Sequence, residues 1–214
     1  MSKLFVDLID SMGTDLTVVN AARVSFGKKK DKFEDGDAFL IRYLAEHNHW
    51  SPFAHCSLQF HIGAPIFVAR QLVKHQVGLS WNEISRRYVD TTPEFYEVYE
   101  ADKWRGKPIN KKQGSDGKVE KQDHCAILQN VASFHALSAY RQLLDAGVAP
   151  EQARMVLPQS LMTEWYWSGT LYAFARVCNL RCAEDAQYET RLITDKIDKQ
   201  CKITFPVSWK ALRK

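Results

Sequence analysis

The chain has 214 residues, of which 45% are hydrophobic and 25% are charged, a composition that suits one ordinary globular domain spanning residues 1–214. Its net charge of +4 is compatible with a small anionic ligand but is too mild for a protein that binds duplex DNA, so no nucleic-acid partner is expected. No apolar run approaches the ~20 residues that a membrane-spanning helix needs, and the N-terminus lacks a signal-peptide core, so we expect a cytoplasmic protein with no membrane partner.

The N-terminal quarter of the chain predicts strands followed by a helix. Two apolar runs, residues 4–9 and 16–19, are separated by Met12 and Gly13 and predict two strands joined by a turn. Residues 35–47 carry apolar side chains at helical spacing and predict a helix.

The next stretch predicts a strand and a second helix. Apolar and polar side chains alternate over residues 57–62, and we expect the strand to end at Gly63. Pro65 then opens a helix, where its missing amide proton is not needed. Arg70 and Gln71 lie near the end of this helix and can project toward the segment that follows it.

The C-terminal half predicts mainly helices. Residues 101–121 are rich in lysine and glycine and predict a polar loop insertion, more simply an ordinary surface insertion than a functional lid. Gln122–Asp145 predicts a long amphipathic helix that Gly147 stops, and Pro150 starts another, short helix. The remaining predictions are helices over residues 171–180 and 186–201 and an ambiguous aromatic segment over 160–167.

The cysteines and histidines form no recognisable disulfide or metal pattern. The five cysteines are odd in number and include no Cys-x-x-Cys pair, so we expect reduced, mostly buried thiols. The seven histidines include no His-Glu-x-x-His motif, and four of them fall where a loop is expected to change into a strand. Because such residues would not converge on one ion by spacing alone, no metal site is expected.

Residues 74–88 are the most informative segment of the chain. They concentrate amide, hydroxyl and guanidinium groups, which together suit a ligand that carries phosphates and a flat polar heterocycle. Taken alone, such a segment is also typical of a cationic surface loop, so further motifs must decide between the two interpretations. The segment contains Lys74-His75-Gln76 and, after an interval, Asn82-Glu83-Ile84-Ser85-Arg86-Arg87-Tyr88.

These residues resemble the signature of the flavin-dependent thymidylate synthases, in which an Arg-His-Arg triplet is followed by Asn-Glu-x-Ser-x-Arg-Tyr. Further segments resemble motifs of the same family in the same order, from residue 47 to residue 189. An ordered set of motifs is far more specific than any one of them. The further segments are residues 47–55, residues 64–71, residues 151–158, and the pair Asn179-Leu180-Arg181 and Ala186-Gln187-Tyr188-Glu189.

The resemblance implies an α+β fold with a central antiparallel sheet flanked by helices, in a homotetramer whose active sites lie between subunits. It implies conversion of dUMP to dTMP, with 5,10-methylenetetrahydrofolate as the carbon donor, reduced FAD as the hydride source and NADPH as the reductant. The chain lacks the Pro-Cys-His segment that carries the nucleophile of classical thymidylate synthases, and the flavin-dependent family needs no such nucleophile.

The same resemblance assigns roles to individual residues. Arg181 and Ser85 are the candidate catalytic residues, and a cation such as Arg181 at the uracil carbonyl would stabilise charge that develops on the ring. Planar guanidinium groups suit phosphate binding. The candidate dUMP-binding residues are Gln71, Glu83, Ser85, Arg86, Arg87, Arg154 and Arg181. The candidate FAD-binding residues are His49, Ser51, Lys74, His75, Gln76, Asn82, Glu83 and Arg176.

The signature also departs from the family pattern. Lys74 and Gln76 replace the two arginines of the triplet, and one extra residue, which must bulge, precedes Ser85. Arg86 replaces a small residue, and Arg176 could restore the charge that is lost at Gln76. These changes leave two alternatives open: a flavin-dependent dUMP hydroxymethyltransferase, if the altered loop admits water, and a nucleotide-binding homologue that has lost catalysis.

Overall fold

In the computed structural model, residues 4–89, 91–98, 103–109 and 114–214 are described and form an α+β fold. The strands are Phe5–Met12 (β1), Ser57–Pro65 (β2), Leu79–Glu83 (β3), Arg105–Gly106 (β4), Asp116–Lys118 (β5) and Met162–Thr170 (β6). The α-helices are Asp15–Arg23 (α1), Asp35–Glu46 (α2), Ile66–Leu72 (α3), Gln122–Asp145 (α4), Pro150–Ala153 (α5), Leu171–Arg181 (α6), Tyr188–Thr204 (α7) and Pro206–Leu212 (α8). Short 3-10 helices span Val24–Phe26, Ser51–His55 and Arg154–Val156.

The main sheet is antiparallel throughout and has the strand order β1-β2-β6-β3. Successive side chains of a strand point to opposite faces, and in β2 the alternate residues Leu58, Phe60 and Ile62 are buried. The ambiguous aromatic segment of the sequence forms most of β6, an inner strand that buries Trp165 and Trp167 in the same way. The predicted antiparallel sheet flanked by helices is therefore confirmed.

Helices α6 and α7 cover the buried face of this sheet. The ring centroid of Phe174 on α6 lies 5.1 Å from that of Phe60 and 5.4 Å from that of Trp167, both in edge-on contacts. Helix α7 packs against α6 and β1 and buries Ile193 and Ile197, which lie one helical turn apart. Each such side chain contributes about 1.5–3 kcal/mol on burial, so these contacts hold sheet and helices in one core.

The second apolar run of the N-terminus is helical, so the prediction of a strand there was wrong. Gly13 has φ of 89° and turns the chain out of β1. The Thr14 backbone N–H then donates to Thr17 Oγ1 at 3.0 Å as α1 begins. Val18 and Val19 are neighbours and both fully buried, whereas a strand would have placed them on opposite faces.

The sequence predicted that strand β2 ends at Gly63, but the strand continues to Pro65. Gly63 pairs with Phe5 across the two strands, and a Cβ at this position would lie only 2.1 Å from the Phe5 ring. The glycine is therefore needed for the close approach of a neighbouring side chain and does not terminate the strand.

Two segments predicted as loops contain strands. Residues 74–88 include β3, and residues 101–121 include β4 and β5, which pair as a small hairpin. Gln122 at the start of α4 holds this hairpin, because its Oε1 accepts the Trp104 backbone N–H and its Nε2 donates to the Trp104 carbonyl, both at 2.8 Å. The predicted insertion also includes residues 101–102 and 110–113, which lie outside the described residues.

Helix α4 has the bounds that the sequence predicts, but its apolar face is not packed into the core. Only Tyr140 among its residues is buried. None of the described helices, α4 included, is long and apolar enough to cross a membrane. The exposed apolar side chains of α4 are Ile127 (59% exposed), Leu128 (55%), Val131 (48%) and Phe134 (68%).

Candidate active site

The extra residue of the signature is accommodated at a turn built on Gly78. This glycine has φ of 78°, a left-handed conformation that other residues rarely adopt. Its carbonyl accepts the Thr170 backbone N–H at 3.0 Å, and a Cβ on it would lie 3.1 Å from Ala173 Cβ. The turn therefore docks against the start of α6, just before β3 begins.

His75 and Arg181 are in direct contact. Arg181 Nε donates to His75 Nε2 at 3.0 Å, which requires that ring nitrogen to be unprotonated. Burial lowers the pKa of His75, and the positive charges of Arg181 and Arg176 lower it further. At neutral pH His75 is thus a neutral acceptor that orients the Arg181 guanidinium.

His75 and Arg176 line a cavity of about 450 Å³. Tyr172 also lines this cavity, and its ring centroid lies 6.1 Å from that of Trp50. The structure thus brings His75 and Arg176, two of the predicted flavin-binding residues, to one cavity with an aromatic wall. The predicted flavin-binding residues that directly neighbour Trp50 or His75 in the chain, all exposed, are His49, Ser51, Lys74 and Gln76.

Ser85 and Arg87, two predicted phosphate-binding residues, contact each other just after β3. Arg87 Nε donates to Ser85 Oγ at 3.3 Å, and the Arg87 guanidinium lies 5.0 Å from the centroid of the Tyr88 ring. Arg87 is exposed, so this guanidinium and hydroxyl are placed to receive an anion. Arg86 is engaged differently, because its guanidinium donates to the Thr91 carbonyl.

Glu83 is fixed across the sheet. Its carboxylate accepts Thr163 Oγ1 of the neighbouring β6 at 2.7 Å and Trp81 Nε1 at 3.2 Å. Asn82 precedes it on β3, and successive strand residues face opposite sides of the sheet. The structure therefore separates Asn82 from Glu83, although the resemblance assigned both to the flavin.

Gln71 belongs to a hydrogen-bonded group at the start of α7. Its Nε2 donates to Gln187 Oε1, and its Oε1 accepts Thr190 Oγ1 at 3.2 Å. Gln187 Nε2 donates in turn to Glu189 Oε2 at 3.1 Å. Gln71, Gln187 and Glu189 line a second cavity, of about 650 Å³, beside the β4–β5 hairpin.

Arg154 lies apart from these groups. It is exposed on the 3-10 helix after α5, which packs against α4, and its Nε donates to the Glu151 carbonyl at 3.2 Å. Among the described residues, no hydrogen bond or ion pair joins Arg154 to Ser85, Arg87 or Arg181. Within one chain, the candidate site residues therefore lie in several separate groups and do not line a single pocket.

Four residues linked to Gln71 by these hydrogen bonds received no role from the sequence: Arg105, Gln187, Glu189 and Thr190. Gln187 and Glu189 belong to the Ala-Gln-x-Glu motif, and that motif was the signal available for them. Arg105 forms an ion pair with Glu189 although 84 positions separate the two. Nothing in the local pattern around Arg105 marks this contact, because it depends on the hairpin returning to α7.

One cluster of the described residues has the spacing of metal ligands. The sulfur atoms of Cys178 and Cys182 and a carboxylate oxygen of Asp198 all lie within 4.8 Å of one another. Asp198 Oδ1, however, already accepts Trp209 Nε1 at 3.1 Å and Arg213 Nε at 2.5 Å. Because this carboxylate is committed to the C-terminal segment, we assign no metal to the cluster.

Comparison with known proteins finds relatives that match nearly the full chain. The family model described as "Thymidylate synthase complementing protein" (Thy1) matches residues 7–207. A flavin-dependent thymidylate synthase of Thermus thermophilus is 43% identical over 211 residues, which cover 99% of this chain and 76% of that protein. Another, of Thermosipho africanus, is 38% identical over 212 residues, which cover 96% of this chain and 90% of that protein.

Solved structures match equally well. A structure of the UMP/dUMP methylase PolB from Streptomyces cacaoi bound with 5-Br dUMP has a TM-score of 0.87 at 32% identity, with 99% of this chain and 95% of that chain covered. The same methylase bound with 5-Br UMP has a TM-score of 0.85 at 30% identity, with 99% and 94% covered. The likeness therefore extends over the sheet and the helices that carry the candidate site.

Proposed function

Since the chain belongs to the flavin-dependent thymidylate synthase family, we propose that it converts dUMP to dTMP, with reduced FAD as the hydride source. The observation that carries the proposal is the contact between Arg181 and His75, which orients a guanidinium beside a cavity with aromatic and cationic walls. The solved relative that is described as a UMP/dUMP methylase, bound with 5-Br dUMP, supports the same substrate.

The residues around the first cavity fit a flavin by their chemistry. Tyr172 offers an aromatic face, and Arg176 offers a cation suited to the phosphates of the cofactor. FAD supplies, when bound, the hydride that completes the methyl group. We propose that this chain binds the cofactor through the cavity and the exposed residues near it, which are His49, Ser51, Lys74, His75, Gln76 and Arg176, with Asn82 and Glu83 contributing from β3.

The phosphate of dUMP is assigned to Ser85 and Arg87. A hydroxyl and a guanidinium already in contact can both donate to phosphate oxygens with little rearrangement. The Arg86 backbone lies beside them, and Arg154 is proposed to complete the phosphate site from a neighbouring subunit. Support for this last step is the exposed position of Arg154, away from Ser85 in its own chain's contacts.

The uracil ring is assigned to Arg181, Gln71 and Glu83. C5 of uracil can attack the one-carbon unit once negative charge has been placed on the ring and delocalised onto a carbonyl oxygen, and a fixed cation at that oxygen stabilises the charge. His75 holds Arg181 in place by accepting from its Nε, so little reorganisation is needed as the charge forms. The amide of Gln71 and the carboxylate of Glu83 are both fixed by neighbours and would orient the ring.

The proposal includes the remaining features of the family. The carbon donor is 5,10-methylenetetrahydrofolate, and NADPH is the reductant that regenerates reduced FAD. The protein works as a homotetramer in the cytoplasm on small molecules, without nucleic-acid or membrane partners.

Mass spectrometry of the nucleotide product tests the proposal. The purified protein is incubated with dUMP, methylenetetrahydrofolate, NADPH and FAD, after flavin absorbance has been used to measure FAD binding. We expect dTMP as the main product. A product one oxygen heavier would identify a hydroxymethyltransferase instead. A protein that binds dUMP and FAD but forms no product would be the homologue that has lost catalysis.

A further inference from the structure

A chain of hydrogen bonds connects the β4–β5 hairpin to Gln71. Arg105, on β4, donates from its guanidinium to Glu189 Oε1. The other oxygen of Glu189 accepts Gln187 Nε2 at 3.1 Å, and Gln187 Oε1 accepts Gln71 Nε2. Arg105 is thus linked to the proposed uracil-site residue Gln71 through the side chains of Glu189 and Gln187.

The order of donors and acceptors in this chain is determined by Glu189. An ionised carboxylate only accepts hydrogen bonds, so Gln187 must turn its NH₂ group toward Glu189 and its carbonyl toward Gln71. Gln71 must then donate to Gln187, which leaves its own carbonyl oxygen for Thr190 Oγ1 at 3.2 Å. The orientation of the Gln71 amide therefore depends on the Glu189 carboxylate accepting from Gln187.

Arg105 is the cationic partner of the Glu189 carboxylate in a buried position. The Glu189 side chain is only 7% exposed, and a buried carboxylate without a cation is strongly unfavourable. Arg105 is itself held firmly, since its Nε donates to Ser115 Oγ at 2.7 Å and its guanidinium lies 4.4 Å from the centroid of the Tyr188 ring.

Two glutamine side chains of α4 bind backbone groups that precede the hairpin carrying Arg105. Gln122 binds both the backbone N–H and the carbonyl of Trp104, the residue just before β4. About two helical turns further along α4, the side chain of Gln129 donates to the Tyr96 carbonyl at 2.7 Å and accepts the Val98 backbone N–H at 3.3 Å. The backbone at Tyr96, Val98 and Trp104 is thus anchored to α4.

We propose that Arg105 is a positioning residue for the nucleotide site: through Glu189 and Gln187 it fixes the amide of Gln71 in the orientation that binds the pyrimidine of dUMP. This inference rests on the proposed function. It gives the hairpin, which the sequence suggested was an ordinary surface insertion, a part in substrate recognition without any contact between Arg105 and the substrate.

A double-mutant cycle between Arg105 and Gln71 tests this inference, with the dUMP dissociation constant of the FAD-loaded protein measured by calorimetry. We expect Arg105→Gln to raise this constant about tenfold in the wild-type background and less than about twofold when Gln71→Ala is already present. Arg105→Lys, which keeps the charge, should restore most of the affinity. Lys118→Ala, opposite Arg105 on β5 and exposed, is the matched control and should change nothing.

A second variant keeps the test decisive if Arg105→Gln does not fold. Gln187→Ala interrupts the chain without leaving Glu189 unpaired, and we expect it to raise the dUMP dissociation constant by a similar factor, again only while Gln71 is present. A purely structural role of Arg105 would lower the melting temperature and weaken dUMP binding equally in both backgrounds, which would overturn the inference alone. A wild-type protein with no affinity for dUMP would overturn the proposed function as well.

Discussion

The burial of His75 beside the positive charges of Arg181 and Arg176, which lowers its pKa, makes the folded protein sensitive to acid. Because the pKa of His75 in the folded chain lies below its ordinary value of 6.5, the unfolded chain binds a proton between these two values that the folded chain does not. Stability contributed by neutral His75 is therefore present above about pH 6.5 and is lost as the pH falls below that value.

We expect the melting temperature of the wild-type protein to fall more between about pH 7.5 and about pH 5.5 than that of His75→Gln, whose neutral side chain cannot be protonated. Thermal unfolding at both pH values measures the difference. Parallel slopes for the two proteins would mean that His75 does not carry the effect.

Arg87, Arg154 and Arg181 of the proposed nucleotide site should differ in the step that each one affects. Arg87→Ala and Arg154→Ala remove phosphate contacts and should weaken dUMP binding, by about 1.5–3 kcal/mol for each charged hydrogen bond lost. Arg181→Ala should mainly slow turnover, because a cation at the ring carbonyl matters most as charge develops. Calorimetry and kcat measurements separate these effects, with exposed Arg42→Ala as the control. Unchanged dUMP affinity in Arg154→Ala would refute its phosphate role.

Among the secondary-structure elements, β3 depends on a glycine in its neighbour β6. A Cβ at Gly169 would lie 2.4 Å from the carbonyl oxygen of Gly78 and 2.5 Å from Leu79 Cδ2. We expect Gly169→Ala to destabilise the protein by about 1–3 kcal/mol and to weaken FAD binding, because the turn next to His75 must move.

The matched control for this change is Gly36→Ala in helix α2, where an added Cβ meets no atom within 4 Å. That variant should be neutral or stabilising by up to about 1 kcal/mol. Urea unfolding compares the two. Equal stability of both variants would show that the Gly78 turn adapts easily.

Sequence patterns predicted the bounds of a secondary-structure element well where a long local periodicity determines that element. The bounds of α4 follow from an uninterrupted apolar period, and those of α6 and α7 are close for the same reason. The pattern failed at α1, because four apolar residues fit either a strand or a helix and the Gly13 turn decided between them. It also missed β3, whose polar residues are paired by β6 and not by local preference.

The candidate site was predictable only in its motif residues. The resemblance singled out His75 and Arg181, which the structure joins, but gave no sign that Asn82 and Glu83 face opposite sides of a strand. The contact of Arg105 with Glu189 could not be anticipated, since it joins distant parts of the chain.

In the single chain, the apolar face of α4 is exposed. Phe134 is 68% exposed, and a face of this kind is normally covered by another surface. Because the proposed active enzyme is a homotetramer, we expect a second copy of the chain to cover it. Sedimentation should then give a mass several times 24.6 kDa.

Placing a charge on this face should dissociate the assembly. Phe134→Glu is expected to reduce the sedimenting mass and, with it, activity. Lys202→Glu, a charge change at an exposed position of α7, should leave both unchanged. An active monomer of the wild-type chain would contradict the expectation.

The position of Arg154, apart from Ser85 and Arg87, has a consequence for genetics. If each site takes Arg154 from one polypeptide and Ser85 from another, then a lesion in either residue damages only the half-site that its own polypeptide supplies. Two alleles, Arg154→Ala and Ser85→Ala, would each fail to support growth of a thymidine-requiring strain, yet expressed together they would support it, because some mixed sites carry neither lesion. If the strain that expresses both alleles fails to grow, Arg154 and Ser85 of each site come from the same polypeptide.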